Sequence, residues 1–540
     1  MRRPTPPQLV AIVALIARPG AADLPVHCLR HQVSGDWEFT LGPLGPKRTS
    51  CGHQRPDNAY QQPSSSSLGG DSPAASKRFS LLEPNEARTE GDDESGTWTM
   101  IYDEGFEVRS GNFVYFAFSK FDFVSDGAGG KRNVSHCGET QLGWYHDVAR
   151  TRWGCYFGKK VEPAGGDASA QPSPAYSKKV ALPVLATSAT DLDGVPPEYI
   201  PWVPGSAGYD KPTQGEWRKN VAQALNFLQL GWTATAYDDK FGGRSPRELN
   251  RLAGVRRGRL PSLVRNDSAE PIPRHATSFL AQQTRKHTAK GQRHESGHFD
   301  WRQHEGRSFL TPVVEQGDCG SCYTIATIHM LTARHRIRKG NPEAPEFSIS
   351  FPLYCSEYNQ GCDGGYGFLQ SKWSEDVGLV PAPCAPFSQG GGQCQVEPGC
   401  ELGAVHHRAV NHRYVGGYYG GATEASIREE LVRNGPLVIS FEPKEDFMYY
   451  QSGVYRSGPA RLHQEWEQVD HAVLLVAYGS ADVGGPYWTM QNSWGEDWGE
   501  AGYFRMARGG DESGCESIAV AADVAEEGEN EVLQAFLASL

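Results

Sequence analysis

The sequence has no apolar stretch long enough to span a bilayer. Its apolar run at residues 9–17 is well short of the roughly 20 residues that a transmembrane helix needs. Positive charge is also scarce, because 52 Lys and Arg residues are outnumbered by 64 Asp and Glu residues, for a net charge of −12. A nucleic-acid partner calls for a clustered basic face, so the composition argues against that class of function.

The first 22 residues have the pattern of a secretory signal peptide. Two arginines precede the apolar run, and the small residues Gly20 and Ala22 lie at −3 and −1 of a cut before Asp23. We therefore expect the mature chain to enter an oxidising compartment of the secretory pathway. Twelve cysteines in such a compartment favour disulfides over metal ligands.

A chain of 540 residues predicts two or three domains rather than one. In its N-terminal part, aromatic and β-branched residues alternate or cluster between turn signals at 37–41, 97–102, 113–118 and 153–157. Several short strands predict an antiparallel barrel or sandwich. Residues 61–80 and 164–177 are rich in Ser, Gly, Pro and Ala, and we expect disordered loops or processing sites there.

One cysteine lies where a predicted helix begins. Residues 316–323 read Gln-Gly-Asp-Cys-Gly-Ser-Cys-Tyr and precede a run, 324–338, that predicts a helix. A helix N-terminus favours a thiolate over a thiol, so Cys322 is a candidate nucleophile. Cys319 and Cys322 also have the spacing of a disulfide or zinc pair, and an isolated pair would favour that alternative.

Two distant segments favour catalysis. His471 precedes an apolar strand-like run at 473–476, and Asn492 follows another at 487–490. A nucleophilic thiol needs an imidazole to take its proton, and that imidazole needs a hydrogen-bond acceptor to hold its ring and tautomer. Cys322, His471 and Asn492 fill these three roles in order.

The segment Cys-Gly-Ser-Cys-Tyr at 319–323 resembles the signature of papain-like cysteine peptidases. One subgroup, dipeptidyl peptidase I (cathepsin C), has an exclusion domain to which four other segments are similar: 23–28, 35–37, 102–107 and 143–148. The resemblance implies an α+β fold. In it, an antiparallel β-barrel exclusion domain and a propeptide precede a papain-like two-lobe peptidase, with one helical lobe and one β-barrel lobe.

The resemblance also implies the domain bounds. The signal peptide is expected at 1–22 and the exclusion domain at 23–161, including the low-complexity insert. The activation peptide or propeptide is expected at 162–296 and the peptidase domain at 297–540, with a further cut into heavy and light chains near 461.

The activation region contains a predicted amphipathic helix at 217–230, with apolar residues at Trp217, Val221, Ala224, Leu225 and Leu228. An ordinary core helix is the alternative. By resemblance, this helix and residues 232–235 and 249–257 belong to a propeptide that such zymogens lay over the cleft. Activating proteases are expected to cut at basic sites: Arg274, Arg285-Lys286 and Lys290.

The resemblance assigns a role to each residue of the candidate active site. It makes Cys322 the nucleophile and His471 the acid and base. Asn492 orients His471, and the Gln316 amide contributes to the oxyanion hole. Trp494 shields the bond between His471 and Asn492 from water and borders the substrate site.

The substrate site follows from the same resemblance. Gly364 and Gly365 offer backbone without side chains to an extended peptide, and Tyr366 and Ile518 line the pocket. Asp23, as the N-terminus of the mature chain, is the carboxylate that pairs with the free amino group of a substrate.

Chloride is the one cofactor that the resemblance implies, and no metal or organic cofactor is expected. The hydroxyl of Tyr414 would hold the ion at the base of the S2 pocket, near Tyr366 and Phe368. The alternative is that Tyr414 is a packed aromatic residue.

Five disulfides are implied by the resemblance alone: Cys28–Cys137, Cys51–Cys155, Cys319–Cys362, Cys355–Cys394 and Cys384–Cys400. Cys322 and Cys515 are left over. Asn133 and Asn266 lie in glycosylation sequons, and a secretory route makes them candidate glycosylation sites.

The expected function is that of a dipeptidyl aminopeptidase acting on peptides and proteins with free N-termini. A cathepsin-like endopeptidase with an unrelated N-terminal β module is the first alternative, and a catalytically silent binding protein on a peptidase scaffold is the second. The resemblance also implies a homotetramer, which an insert at a subunit contact would block. It implies a lysosome, a lysosome-like or secretory vesicle, or the extracellular space as the location.

Overall fold

The computed structural model describes residues 28–58, 63, 68, 75–91, 95–125, 131–161, 215–244, 249, 252, 297–389, 391–398, 400, 406–443, 446–457, 471–528 and 530–540. The predicted signal peptide, Asp23, the insert at 164–177, Asn266, the basic cutting sites and the cut near 461 lie outside these residues. None of the described helices is both long and apolar enough to cross a bilayer.

The N-terminal region forms a closed antiparallel barrel. After helix α1 (Arg30–Val33), the described residues form nine strands: β1 (Gly35–Leu41), β2 (Ala75–Leu82), β3 (Glu86–Thr89), β4 (Ser95–Ile101), β5 (Gly105–Ser110), β6 (Phe113–Ser125), β7 (Lys131–Thr140), β8 (Gly143–Asp147) and β9 (Trp153–Lys160). Strands β1 to β6 pair in sequence, β6 pairs with β8, β8 with β9, and β9 returns to β1. Eight strands therefore close a ring, and β7 adds to β6. Of the two predicted architectures, the barrel is confirmed.

Aromatic side chains fill the barrel. Trp37 and Phe39 alternate inward along β1, and both are fully buried. The ring centroid of Phe39 lies 4.7 Å from that of Phe79 and 4.8 Å from that of Tyr156. The disulfides Cys28–Cys137 and Cys51–Cys155 fasten the ends of this domain.

The expectation of a disordered segment at 61–80 is wrong for its last six residues. Residues 75–80 belong to β2, which pairs with β1 on one side and β3 on the other. Phe79 lies opposite Trp37 in this register and is buried. A polar composition does not prevent a strand whose backbone is paired on both edges and whose one large apolar side chain enters the core.

The activation region contributes helix α2 (Gly215–Phe227), strand β10 (Trp232–Ala234) and helix α3 (Asp238–Phe241). The predicted helix is present, and Val221 and Leu225 of its apolar stripe are buried. Leu228 was predicted to share that stripe but is 39% exposed, because the helix ends one residue before it. Strand β10 joins the edge of a sheet in the C-terminal part of the chain.

The C-terminal part contains two packed lobes. Its elements are β11 (Phe299–Asp300), α4 (Cys322–Lys339), α5 (Ser350–Cys355), α6 (Gly367–Asp376), β12 (His406–Tyr414), α7 (Glu424–Asn434), β13 (Leu437–Phe441), β14 (Tyr450–Tyr455), β15 (His471–Ala481), β16 (Gly485–Gln491), β17 (Tyr503–Ala507), β18 (Ile518–Glu527) and α8 (Glu531–Leu537). The main sheet runs β10-β14-β17-β16-β15-β13-β18-β12. Helix α4 packs against β13, β15 and β18, so it lies at the junction of the two lobes.

Helix α4 begins at Cys322, two residues earlier than predicted, and ends at Lys339. It is capped by Gly340, whose φ of +60° suits a residue without a side chain. Three disulfides brace the helical lobe: Cys319–Cys362, Cys355–Cys394 and Cys384–Cys400. All five disulfides in the structure have the pairing that the family resemblance implies.

Candidate active site

Cys322 is the first residue of α4 and is completely buried. The disulfide between Cys319 and Cys362 fixes the approach to the helix, and the Gly320 N–H donates to the Cys362 carbonyl at 2.9 Å. Cys322 itself forms no disulfide. Its position at the start of an 18-residue helix puts the sulfur in the field of the helix N-terminus, which favours a thiolate.

His471 and Asn492 are brought together by neighbouring strands. His471 begins β15, Asn492 follows β16, and the His471 Nε2 lies 2.7 Å from the Asn492 Oδ1. This bond makes Nε2 the protonated nitrogen and leaves Nδ1 for proton exchange. Nδ1 is buried and has no hydrogen-bond partner among the described residues.

Trp494 covers this pair. Its ring stacks on the His471 ring with centroids 5.1 Å apart and an interplanar angle of 28°. The Phe441 ring packs edge-on against His471 from another side, at 5.8 Å. The bond between His471 and Asn492 is therefore kept from water, which strengthens it.

Gln316 is held in place by a residue to which sequence reasoning gave no role. The Ser493 hydroxyl donates to the Gln316 Oε1 at 2.6 Å, and the Gln316 backbone N–H donates to the Ser493 carbonyl at 2.9 Å. Gln316 Nε2 donates one N–H to the Cys319 carbonyl at 2.9 Å. The second N–H of this amide remains for an oxyanion. The only sequence signal was the position of Ser493 between Asn492 and Trp494.

The activation region covers the site. The Phe241 ring packs edge-on against Trp494 with centroids 6.2 Å apart, and the Trp494 Nε1–H donates to the Leu252 carbonyl at 3.3 Å. Both Phe241 and Leu252 are buried. The tryptophan that stacks on His471 therefore also binds the covering segment.

Two basic residues of the activation region pair with acidic residues beside the site. Lys240 Nζ lies 3.0 Å from Glu315 and 2.7 Å from Asp497, and Arg244 lies 2.8 Å from Asp318. Lys240 is almost fully buried in these contacts. The pairs hold α3 against the loops that carry Gln316 and Trp494.

Burial under this cover lowers the pKa of His471 to about 4, and the hydrogen bond to Asn492 offsets this only in part. Burial likewise lowers the pKa values of His146 and His329 to about 4. An unfolded chain has histidine pKa values near 6.5. Between pH 6.5 and 4 the unfolded chain therefore binds protons that the folded zymogen does not, and stability falls as pH falls.

We expect the free energy of unfolding of the full chain to fall as pH is lowered from 6.5 to 4, by roughly 1–3 kcal/mol for each buried neutral histidine. Urea titrations of a Cys322→Ala chain, which lacks the candidate nucleophile, measure this. The His329→Gln variant is the matched comparison, because His329 Nδ1–H donates to Gln491 at 3.0 Å and glutamine also carries an N–H donor. The free energy of unfolding of this variant should fall less steeply with decreasing pH than that of its parent. Equal slopes would contradict the assignment of His329 as a buried neutral histidine.

The far end of the cleft is built by both lobes and the barrel. The Tyr102 ring, from the barrel, stacks on the Tyr366 ring with centroids 3.7 Å apart, and the Tyr102 hydroxyl lies 2.9 Å from the Ser440 Oγ. Ser440 pairs with Ile518 in the register of β13 and β18, and Ile518 is buried. Sequence reasoning quoted the segment that contains Tyr102 but gave the residue no role.

Gly364 and Gly365 adjoin this end of the cleft. Gly364 has a φ of +116°, and its carbonyl accepts from the Gln360 N–H at 3.0 Å. A Cβ on Gly365 would lie 2.3 Å from the Asn359 Oδ1, so no larger residue fits there. The Asn359 side chain in turn accepts from the Tyr366 backbone N–H at 2.9 Å.

Tyr414 and Phe368 also lie together. Their rings stack with centroids 4.4 Å apart and an interplanar angle of 11°. The Tyr414 hydroxyl is buried without a hydrogen-bond partner of good geometry among the described residues, and burial raises its pKa well above the usual value. Asn133, a candidate glycosylation site, lies on β7.

Two family models match the chain. One described as "Papain family cysteine protease" matches residues 296–523, and one described as "Cathepsin C exclusion domain" matches residues 23–160. "Cathepsin C" from Schistosoma mansoni is 29% identical over 528 residues, which cover 95% of this chain and 98% of that protein. "Gut-specific cysteine proteinase" from Caenorhabditis elegans is 32% identical over 227 residues, 39% of this chain and 67% of that protein.

Among solved structures, proCathepsin B S9 from Trypanosoma congolense superposes with a TM-score of 0.44 and 22% identity. The match covers 58% of this chain and 98% of that one.

Proposed function

Because the chain belongs to the papain family of cysteine proteases, we propose that it is a dipeptidyl aminopeptidase, which removes dipeptides from the free N-termini of peptides and proteins. The observation that carries the proposal is the match of residues 23–160 to the cathepsin C exclusion domain, joined to similarity with a cathepsin C along 95% of the chain. An endopeptidase with an unrelated N-terminal β module is less well supported, because residues 23–160 match the cathepsin C exclusion domain.

The chemistry requires three side chains and one backbone group. The Cys322 sulfur attacks the scissile carbonyl carbon while His471 holds the thiol proton, which passes to the leaving amine as the C–N bond breaks. The Cys322 backbone N–H and the second N–H of Gln316 Nε2 stabilise the oxyanion. His471 then takes a proton from water, which attacks the thioester, releases the dipeptide acid and restores the thiol.

The barrel limits the substrate to two residues on the acyl side. Tyr102 packs on Tyr366 and reaches Ser440, so the barrel occupies the end of the cleft beyond these residues. A peptide bound along Gly365 would meet this wall after its second residue. An endopeptidase needs that end open, whereas an aminopeptidase needs it closed.

Asp23 supplies the carboxylate at this wall in our proposal. Cys28 is tied to Cys137, and its N–H donates to the Asp103 carbonyl at 2.8 Å, directly beside Tyr102. Five residues span at most about 17 Å, and we propose that Asp23 reaches the closed end of the cleft from Cys28. A charge-assisted pair between its carboxylate and a substrate ammonium is worth about 1.5–3 kcal/mol.

We expect hydrolysis of a free-amino dipeptide reporter and none of its N-acetylated analogue. Asp23→Asn keeps the shape but removes the charge, and should lower kcat/KM for the free-amino reporter by roughly 10–150-fold. Steady-state kinetics on both reporters measure this. Preferential hydrolysis of the acetylated reporter by the parent enzyme would refute the proposed activity. Unchanged kinetics of the Asp23→Asn variant would show that another residue supplies the carboxylate.

We infer a chloride ion at Tyr414. A buried hydroxyl that has no well-placed partner is a suitable donor to an anion, and the Phe368 ring stacks on the Tyr414 ring. The family resemblance places Tyr366 at the same site. The backbone N–H of Tyr366 already donates to Asn359, so this group is not the donor. The ion would fix the floor of the S2 pocket.

Activity should fall when chloride is replaced by an inert anion at constant ionic strength, because the S2 floor loses its ion. Tyr414→Phe should remove this dependence, since phenylalanine keeps the stacking on Phe368 without a donor. Reporter assays over a chloride series measure both effects. Equal rates with and without chloride in the parent enzyme would exclude the ion.

The remaining assignments are proposals from family membership. They are removal of residues 1–22, cleavage by activating proteases in 162–296 and near 461, glycans at Asn133 and Asn266, assembly as a homotetramer, and a lysosome or secretory vesicle as the location. The five disulfides agree with a secreted or lysosomal protein. N-terminal sequencing of the mature chains and light scattering of the processed enzyme test the processing and the tetramer.

A further inference from the structure

We infer that His335, His407 and Glu526 form a zinc site that is separate from the peptidase cleft. One ligand atom from each residue lies within 4.8 Å of the others. His335 is on α4, thirteen residues after Cys322, which places the site about 20 Å along the helix from the nucleophile. The inference is therefore independent of the proposed peptidase activity.

Two of the ligands are set by a β-ladder. His407 on β12 and Glu526 on β18 are direct partners in the antiparallel register, and the His407 Nε2 lies 3.6 Å from the Glu526 Oε1. Zinc bonds of about 2.0–2.1 Å in a tetrahedron place ligand atoms roughly 3.3–3.4 Å apart. The His407 to Glu526 spacing is thus close to that of a tetrahedral edge before any ion binds.

The third ligand is held by packing. The His335 ring lies edge-on to the His407 ring with centroids 4.8 Å apart, and the Phe347 ring contacts both imidazoles, at 5.5 and 5.3 Å. The His407 carbonyl also accepts from the Leu379 N–H at 2.8 Å. His335 is buried, whereas the Glu526 side chain is 35% exposed, so a water molecule can complete the coordination from the solvent side.

The site already attracts a cation. Lys339, one turn after His335 on α4, places its ammonium 2.6 Å from the Glu526 carboxylate. A divalent ion would displace this ammonium, whose side chain is 46% exposed and has solvent to enter. Two imidazoles and one carboxylate with an open fourth position are the ligand set that suits zinc.

Zinc itself is the probe, added to the full-length Cys322→Ala chain because the active-site thiol would otherwise compete for the ion. Calorimetry should show one high-affinity Zn²⁺ per chain, and Co²⁺ in its place should give the visible absorption of a four-coordinate ion. In this background His407→Gln or Glu526→Gln should weaken binding by more than the roughly 10–100-fold that loss of a second-shell group costs. Glu526 is exposed, so its variant should fold even if that of His407 does not.

Lys339→Met should act in the opposite direction and tighten binding by about two- to five-fold, because it removes the competing cation of a surface pair. His136→Gln is the matched control and should change nothing, since His136 pairs with Asp122 at 2.8 Å on the exposed face of the barrel. A Cys322→Ala chain that binds no Zn²⁺ overturns the proposal. The proposal is also overturned if the Glu526→Gln chain binds Zn²⁺ as tightly as its parent.

Discussion

Replacement of Cys322 by alanine should lower turnover by roughly 10⁴–10⁶-fold while leaving the fold intact, because nucleophile and base act as a unit. Cys322 is the helix-initiating cysteine outside the disulfide framework. Alanine removes only the sulfur from a site whose other members, His471, Asn492 and Gln316, keep their own partners. Reporter hydrolysis measures turnover, and labelling by a thiol-reactive epoxide reports the nucleophile directly.

Cys515→Ala is the matched control. Cys515 is the other cysteine without a disulfide, and it is equally buried. Burial, reinforced by the neighbouring carboxylate of Glu516, raises the pKa of its thiol well above the usual value, so it stays protonated and unreactive. Its variant should keep near-parental activity. An inactive Cys515→Ala chain beside an active Cys322→Ala chain would reverse the assignment, and an unlabelled parent would favour the silent-scaffold alternative.

Removal of the Glu107 charge should detach the barrel from the peptidase lobes. Glu107 lies on β5 and is almost completely buried against α6 and β12. Its carboxylate lies 2.7 Å from Arg109, 2.9 Å from His412 and 3.4 Å from Lys372. Burial alone would raise its pKa, but these three cations hold the pKa well below the usual range.

The cations that contact Glu107 pair with further acidic residues, so a buried network of charges joins the barrel to the peptidase lobes. His412 also lies 2.8 Å from Glu375, which lies 2.7 Å from Arg150 of the barrel. Lys372 also lies 3.1 Å from Asp376. Burial opposes a charged imidazole, yet Glu107 and Glu375 together raise the pKa of His412. Breaking such a buried pair from one side typically costs about 3–5 kcal/mol, because the partner charges remain buried.

Glu107→Gln is therefore expected to lower the free energy of unfolding by about 3–5 kcal/mol and to open the cleft to N-acetylated reporters. Urea denaturation and the ratio of rates on acetylated and free-amino reporters measure the two effects. Glu139→Gln is the control, because Glu139 pairs with Lys120 at 2.9 Å on the barrel surface, where a pair is worth at most about 1 kcal/mol. Equal effects of the two substitutions would show that the buried network does not hold the domains together.

The candidate site residues and the strands of the N-terminal domain could be predicted, because short stretches of sequence carry their signals. A cysteine before a helical run, and a histidine and an asparagine beside apolar strands, predict the members of the site, and of these the structure places His471 against Asn492 at 2.7 Å. The alternating aromatic residues predicted an antiparallel barrel or sandwich, and the pairing of β1 with β9 closes the barrel. The composition of residues 75–80 wrongly predicted disorder, because the pairing of both edges of a strand with its neighbours cannot be read from the sequence of that strand.

Contacts between residues far apart in the chain could not be predicted either, because the sequence around one residue does not identify its partner. Tyr102 and Tyr366 are 264 positions apart in the chain, yet their rings stack at 3.7 Å. The network of Glu107, His412 and Glu375 joins a barrel strand, a sheet strand and a helix. Each residue alone reads as an ordinary surface polar residue, and only the fold shows that all three are buried.

The short strand β10 has a consequence for the solubility of the processed enzyme. It forms the outer edge of the peptidase sheet by pairing with β14, whose six residues, Tyr450–Tyr455, carry no charged side chain. Release of the activation segment would make β14 the edge, and an uncharged edge strand has little to repel a strand from another molecule. If the activation segment is released as proposed, we expect the processed chain to self-associate more readily than the full chain at high concentration.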